Sequence, residues 1–339
     1  MKIHKIIRSK QKPILRISVS MLFLLVSLIF IRLFSFYNKP IDEDSLFQQK
    51  FNEHYKVFAV NIPENVEFAG EKVPVNDFDV RERLDRELLV NTYWQSQTLL
   101  MIKRANRWMK IIEPILKRNG IPDDFKFLAL VESGFTLNVS PKGAAGFWQF
   151  IPSTAQAYGL VVNDNIDERY HIEKSTEAAC KYFKDAYKQF GSWTLVAASY
   201  NMGTNGIAKQ LERQKTKSYY DLSLNEETSR YVFRVVAIKE IVNNPKQYGF
   251  YFRQKDLYPA IPTETITVDS TIKNLPQFIT NLGYPYKTFR YFNAWIRTDA
   301  LLNADKKTYA LKLPKKELLD NPRFLEMIDR ETSDETPGN

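Results

Sequence analysis

Apolar residues between positions 98 and 250 recur at helical spacing, and small or turn-forming residues interrupt them at regular intervals. The first such segment carries its apolar face on Leu99, Leu100, Ile102, Trp108, Met109, Ile112 and Ile115. Gly120 and Pro122 end it. A short helix then follows, with Asp123 or Asp124 as its N-cap and Glu132 at its end.

Four further helices are predicted from the same pattern and from capping residues. They run from Ser153 to Tyr158, from a Ser175 cap to Phe190 before Gly191, from a Ser192 cap to Met202 before Gly203, and from an Asn225 cap to Asn243 before Pro245. Residues 98–250 are therefore expected to form a compact, all-helical unit.

The pattern changes after residue 250. Thr265–Val268 and Thr308–Leu313 alternate as β-strands do, and two helical stretches, Ile272–Leu282 and Tyr286–Asn293, lie between them. A small β-α-α-β module over 264–314 is expected. Residues 38–97 are mixed in character and are interpreted as a linker and an N-terminal arm that docks on the helical unit. The acidic tail, 329–339, is expected to be disordered.

The N-terminal 37 residues have the pattern of a membrane segment. Six basic residues precede an apolar run from Ile17 to Ile31, which is either a signal peptide or a short anchor. No small-residue cleavage site follows the run, which favours an uncleaved anchor in the inner membrane. The charge asymmetry places the body of the chain in the periplasm.

The charge distribution and the cysteine and histidine content argue against nucleic-acid binding and metal binding. The net charge is +9, but six of these charges lie in the first 16 residues, so the remaining +3 makes no basic surface for nucleic acid. Cys180 is the single cysteine, and the three histidines are scattered. No metal site and no cofactor are expected.

The densest group of candidate residues surrounds Glu132. This carboxyl ends a helix, and Ser133 and a segment of small residues from Ser140 to Gly146 follow it, before Gln149. Apolar neighbours are expected to raise the pKa of the carboxyl toward that of a general acid. Gln149 offers both a donor and an acceptor, which could bind an acetamido group. The alternative is a surface glutamate at a helix end.

Two other clusters lie downstream. Tyr200 and Asn201 end a helix before Gly203, and Glu227 and Tyr231 begin the last helix of the unit. Taken singly, the first could be a helix C-cap and the second an acidic first turn that suits the helix dipole.

Together, the clusters resemble in order and spacing the four motifs of the family 1 lytic transglycosylases. The motifs stand here as Glu132-Ser133, Gly146-Phe147-Trp148-Gln149, Ser199-Tyr200-Asn201-Met202-Gly203 and Glu227-Thr228-Ser229-Arg230-Tyr231. Ser199 replaces the alanine that usually precedes the tyrosine. The similarity covers about residues 75–250, and the Phe-Trp form of the loop is most like that of a membrane-bound member.

The resemblance implies a lysozyme-like catalytic domain that binds peptidoglycan glycan strands. Glu132 corresponds to a single catalytic acid and base, which would cleave the MurNAc-GlcNAc bond without water and leave 1,6-anhydro ends. The resemblance assigns substrate contacts to Ser133, Ser140, Gly146, Gln149, Tyr200, Asn201, Glu227 and Tyr231.

Alternatives remain open for both parts of the chain. The 264–314 module resembles a LysM domain in length, element order and the position of Asn293, but it could instead be an accessory cap. A hydrolytic muramidase would need a second carboxylate to activate water. A non-catalytic wall-binding scaffold is the third possibility, against which the intact Glu132 argues.

Overall fold

The computed structural model describes residues 21–32, 43–54 and 56–320. The chain divides into two units, Met1–Ala59 and Val60–Asn339. In the first, α1 covers residues 21–32 and α2 covers Glu43–His54. Within the described ranges, no helix is both long and apolar enough to cross a membrane. The predicted span from Ile17 to Ile31 lies partly outside those ranges, and the acidic tail lies wholly outside them.

The second unit begins with a helical part. A two-residue hairpin, β1 (Glu67–Phe68) and β2 (Glu71–Lys72), precedes its helices. These are α3 (Phe78–Tyr93), α4 (Gln95–Arg118), α5 (Lys126–Ser133), α6 (Pro152–Ala157), α7 (Ile172–Phe190), α8 (Trp193–Met202), α9 (Thr204–Gln214) and α10 (Glu226–Asn243).

Several helix ends follow the predicted capping chemistry. The Ser192 hydroxyl accepts a hydrogen bond from the amide of Leu195 at the start of α8. The side chain of Asn225 accepts one from the amide of Thr228 at the start of α10. Gly191 ends α7 with a left-handed backbone, φ 63°. These predicted boundaries are confirmed.

Two predicted N-caps are wrong. Helix α7 begins at Ile172, and the Ser175 hydroxyl bonds the carbonyl of Ile172 from inside the helix. Neither Asp123 nor Asp124 caps the turn before α5, because Pro122 occupies that position. Asp124 instead forms a 2.7 Å ion pair with Lys239 on α10 and accepts the amide of Ala69.

Within the described helical part of the second unit, two helices were not predicted. Helix α3 lies within the segment interpreted as a linker and arm, and it buries Val80, Leu84 and Leu88 in the main core. Helix α9 follows directly after Gly203, whose backbone at φ 85° and ψ 148°, a conformation that glycine adopts easily, ends α8 and begins the next helix. Gly203 therefore ends α8 as predicted, but another helix begins directly after it.

The C-terminal module has the predicted element order. β3 (Thr263–Val268), α11 (Leu275–Asn281), α12 (Tyr286–Phe292) and β4 (Tyr309–Pro314) precede a last turn, α13 (Glu317–Asp320). The strands pair antiparallel, from Thr263 opposite Pro314 to Val268 opposite Tyr309.

The module has a hydrophobic core of its own, and the side chain of Asn293 links α12 to β4 by hydrogen bonds. The amide nitrogen of buried Asn293 donates to the carbonyl oxygens of Phe289 and Lys312, while its oxygen accepts the amide of Lys312. Ile166 and Tyr170 from the helical part pack into the core of the module. A single β-bridge between Ile166 and Ile296 also joins the two parts.

Candidate active site

Glu132 is the penultimate residue of α5. The helix is fixed by Phe127, Leu128 and Leu130, all of which are buried. It ends at Gly134, whose left-handed φ of 57° is easily adopted by glycine. The Ser133 hydroxyl donates to the carbonyl of Ala129 and accepts the amide of Phe135, so this side chain shapes the turn after Glu132.

The carboxyl of Glu132 accepts a 2.6 Å hydrogen bond at Oε1 from the hydroxyl of Tyr231 on α10. Burial raises the pKa of Glu132 to about 7, and the negative charge of Glu227 acts in the same direction. The hydrogen bond from Tyr231 and the positive charge of Arg234 oppose that rise. At neutral pH the group is therefore poised between its acid and its base form, a condition that suits general acid and base chemistry.

The loop from Ser140 to Phe150 is held by a buried arginine that the sequence analysis did not single out. Arg169 forms a 2.6 Å ion pair with Asp167. Its Nη1 also donates to the carbonyls of Gly143 at 2.6 Å and Phe150 at 3.0 Å. The guanidinium thus satisfies backbone acceptors at both ends of the loop. The spacing of these residues along the sequence does not predict that Arg169 contacts the loop.

Gly146 lies against the backbone of Arg169. Its φ is 79°, and a Cβ built there would lie 1.9 Å from the carbonyl oxygen of Arg169. Such a distance is far below a van der Waals contact. Only glycine fits this position.

Gln149 and Ser140 shape the same loop. The Gln149 side chain donates to the carbonyls of Asn138 at 3.0 Å and Gly146 at 2.9 Å, while its own backbone is left-handed at φ 49°. Such strained non-glycine residues concentrate at functional sites. The Ser140 hydroxyl accepts the amide of Ala144. Both predicted substrate contacts are therefore also structural parts of the loop.

Tyr200 and Asn201 join α8 to its neighbours. The hydroxyl of Tyr200 donates to the carbonyl of Trp148 at 2.6 Å, and burial raises its pKa well above the usual value. The side-chain oxygen of Asn201 accepts the hydroxyl of Thr228 at 2.8 Å. These bonds fix α8 against the loop on one side and α10 on the other.

Glu227 differs from the other candidates because it is exposed and lies beside Arg234, 3.4 Å away. Arg234 belongs to a second cluster that the sequence analysis missed. Buried Glu87 on α3 contacts Arg86 at 2.6 Å, Arg230 at 2.7 Å and Arg234 at 3.5 Å.

Arg230 and Arg234 lie on either side of Tyr231 in the sequence of α10. Glu87 therefore ties α3 to the turns of α10 that carry the partner of Glu132. The opposite charges also compensate the burial of the carboxylate, which would otherwise be costly.

Metal binding and thiol reactivity depend on how the side chains of the described residues are placed. No group of three or more His, Cys, Asp or Glu side chains there could hold a metal ion. Cys180 is buried, and burial raises the pKa of its thiol to about 12, which disfavours the reactive thiolate.

Comparison with known proteins agrees with the motifs. A family model described as "Transglycosylase SLT domain" matches residues 109–223, and one described as "Soluble lytic transglycosylase C-terminal LysM-like domain" matches residues 264–317. The chain thus carries a transglycosylase SLT domain followed by a LysM-like domain, as the resemblance implied.

Curated relatives and solved structures are similar to this chain. Membrane-bound lytic murein transglycosylase D of Escherichia coli K12 and of Escherichia coli O6:H1 are each 31% identical over 250 residues, which cover 72% of this chain. The chain spans about half the length of these relatives, 53%. The crystal structure of the 70 kDa soluble lytic transglycosylase of Escherichia coli is 16% identical in sequence. The match covers 58% of this chain and 40% of that structure's chain, with a TM-score of 0.36.

Proposed function

We propose that this protein is a peptidoglycan lytic transglycosylase acting in cell-wall remodelling or turnover. It would cleave the β-1,4 bond between MurNAc and GlcNAc without water and leave 1,6-anhydroMurNAc ends. The observation that carries the proposal is the carboxyl of Glu132, whose pKa is raised to about 7 and which Tyr231 holds in place. The SLT domain around it and the similarity to lytic murein transglycosylase D support the same reaction.

The reaction needs one proton donor that later becomes a proton acceptor. Neutral Glu132 gives its proton to the glycosidic oxygen as the bond to C1 of MurNAc breaks, and the GlcNAc hydroxyl leaves. The acetamido group of MurNAc stabilises the positive charge at C1. The Glu132 carboxylate then takes the proton of the C6 hydroxyl, whose oxygen bonds C1. Glu132 ends neutral, and no water enters.

The remaining site residues would bind and orient the strand. We assign sugar contacts to Gln149 and Asn201, whose side chains keep hydrogen-bonding capacity beyond the bonds described above. Ser133, Ser140, Gly146 and Tyr200 would act mainly by shaping the cleft. Glu227 would support the electrostatics around Glu132 without touching the reacting atoms.

Domain limits and location follow as parts of the same proposal. A lysozyme-like catalytic domain would occupy 98–250, and 264–314 would be the LysM-like module that assists wall binding. The N-terminal 37 residues would anchor the protein in the inner membrane with its catalytic domain in the periplasm. A mature chain that begins near residue 37 in the soluble fraction of cells would instead identify a cleaved signal.

Paired substitutions test the catalytic assignment. Glu132→Gln should abolish cleavage of purified sacculi while keeping the fold and strand binding, because the amide is nearly isosteric but cannot give up a proton. Glu227→Gln is the matched control, and it should retain activity within about tenfold because the loss of a nearby charge only modulates the acid. Substantial cleavage by a folded Glu132→Gln protein, or loss of cleavage only in Glu227→Gln, contradicts the assignment.

A further inference from the structure

A cavity of about 420 Å³ lies between the helical part and the C-terminal module. This volume is in the range of small-ligand sites. Aromatic side chains from both parts form much of the wall, namely Trp108, Phe147, Tyr258, Tyr291 and Trp295. Glu132 is not among the lining residues, so the cavity is separate from the catalytic carboxyl.

Two guanidinium groups on α4 face this cavity without a carboxylate partner in the described part of the chain. Arg107 donates to the carbonyl of Pro259 at 2.9 Å and to the hydroxyl of Tyr291 at 2.7 Å. Arg104 donates to the carbonyl of Gly134 at 3.1 Å. All these acceptors are neutral, so both positive charges remain uncompensated, and each guanidinium keeps unused donors.

The other charged residues of the wall are electrically balanced. Lys312 of the module pairs with Glu173 of α7, and His171 lies 3.3 Å from the same carboxylate. The cavity as a whole therefore carries excess positive charge among apolar rings. Such a site favours an anion with an apolar or alkyl body, because a carboxylate can bond a guanidinium through both oxygens in a low-dielectric setting.

We propose that this cavity binds a carboxylate of the peptide stem of peptidoglycan. The inference rests on the proposed function, which brings the strand and its stems to this face. Stem peptides carry free carboxylates on short alkyl chains. The carboxylates would bind the arginines, and the alkyl chains would contact the aromatic walls. The alkyl portions would pack against other aromatic walls of the cavity, such as Phe147 and Trp295, because Arg107 already lies over the Trp108 and Tyr258 rings.

The cavity adjoins the catalytic segments. Arg104 bonds the carbonyl of Gly134, the residue that ends the helix carrying Glu132. Phe147 belongs to both the cavity wall and the loop that carries Gln149. A stem held here would therefore fix the strand beside the cleft and would favour peptide-bearing strands over naked glycan.

Calorimetric titration of a free, sugar-less stem tetrapeptide into the full-length Glu132→Gln protein tests the proposal. The peptide should bind saturably, and its fully amidated form should bind at least about tenfold more weakly because it lacks the charge-assisted bonds. Arg104→Gln and Ala260→Trp, which fills the cavity from its wall, should each weaken binding by a similar factor. Lys110→Gln removes an exposed charge from the same helix and should leave binding unchanged.

The absence of saturable binding overturns the proposal, as does binding that neither cavity variant nor amidation weakens. If Arg104→Gln fails to fold, Ala260→Trp and the amidated peptide still decide the matter. Digestion of sacculi by the wild-type protein is scored separately. Anhydro products without peptide binding would contradict this inference alone, whereas peptide binding without anhydro products would contradict the proposed function alone.

Discussion

The Tyr231 hydroxyl and the Glu132 carboxyl, 99 positions apart in sequence, are joined by a 2.6 Å hydrogen bond. Burial and the adjacent carboxyl raise the pKa of Tyr231 well above its usual value, so the phenol keeps its proton and remains a donor. Oε1 of Glu132 is thereby occupied. Within the described chain no hydrogen bond engages Oε2, so this oxygen can meet the glycosidic oxygen in the proposed reaction.

Tyr231→Phe should lower kcat by about tenfold or more, because a hydrogen bond to a charged group contributes about 1.5–3 kcal/mol. The bond from Tyr231 favours the ionised carboxyl, so its loss should move the pKa of Glu132 above about 7. The midpoint of the pH-rate profile should therefore shift upward. Tyr158→Phe, which removes a hydroxyl outside the site, is the control. An unchanged profile in Tyr231→Phe would contradict the role given to this bond.

The raised pKa of Glu132 predicts a pH-dependent penalty on folding. Its ordinary value is 4.5 and its folded value is about 7, so between these values the folded chain binds more protons than the unfolded chain. The stability that the neutral carboxyl contributes is complete below pH 4.5 and is lost as pH rises through 7.

Glu132→Gln should remove that dependence. Relative to wild type, the variant should be more stable at pH 8 than at pH 4.5 by on the order of 2–3 kcal/mol, since each pKa unit corresponds to about 1.4 kcal/mol. Urea unfolding of both proteins at the two pH values measures the difference. A difference that is the same at both pH values would show that the carboxyl is not perturbed.

The glycines of the 140–150 loop offer a matched pair of substitutions. Gly143 and Gly146 have similar left-handed φ angles, 75° and 79°, but only at Gly146 would a Cβ collide with backbone. Gly143→Ala should cost about 1 kcal/mol from backbone strain alone. Gly146→Ala should cost at least 2 kcal/mol more and abolish activity, because the loop must move off Arg169. Equal effects on the unfolding free energy would contradict the close approach.

Glu87→Gln should act on catalysis through Tyr231. Loss of the buried carboxylate leaves the neighbouring guanidiniums uncompensated and should cost about 3–5 kcal/mol of stability. It should also lower kcat in the protein that remains folded, because α10 loses its link to α3. In a Tyr231→Phe background the effect of Glu87→Gln on kcat should largely vanish. Glu82→Gln, an exposed change on the same helix, is the control, and fully additive effects would refute the coupling.

The sequence predicted the local features of the site more successfully than the contacts between distant segments. Glu132 at a helix end and the caps of α8 and α10 follow from nearby residues, so periodicity and capping chemistry were sufficient. The same holds for the order of elements in the module.

The features that were missed depend on partners far away in sequence. Glu87 meets Arg230 across 143 positions, and Arg169 meets the carbonyl of Gly143 across 26. Helix α3 is an exception, because Val80, Leu84 and Leu88 recur at helical spacing within the segment interpreted as an arm, and all three are buried in the core. Serine is a common N-cap residue, so Ser175 was a reasonable candidate, but His171 occupies the N-cap position of α7.

The central claim is that one carboxyl cleaves the strand without water, and the oxygen of the products tests it most directly. Purified sacculi digested by the full-length protein in heavy-oxygen water should yield muropeptides with 1,6-anhydro ends, one water lighter than reducing ends and free of label, by mass spectrometry. New reducing ends that carry the heavy oxygen would show that a water attacks C1, and the protein would then be a hydrolytic muramidase.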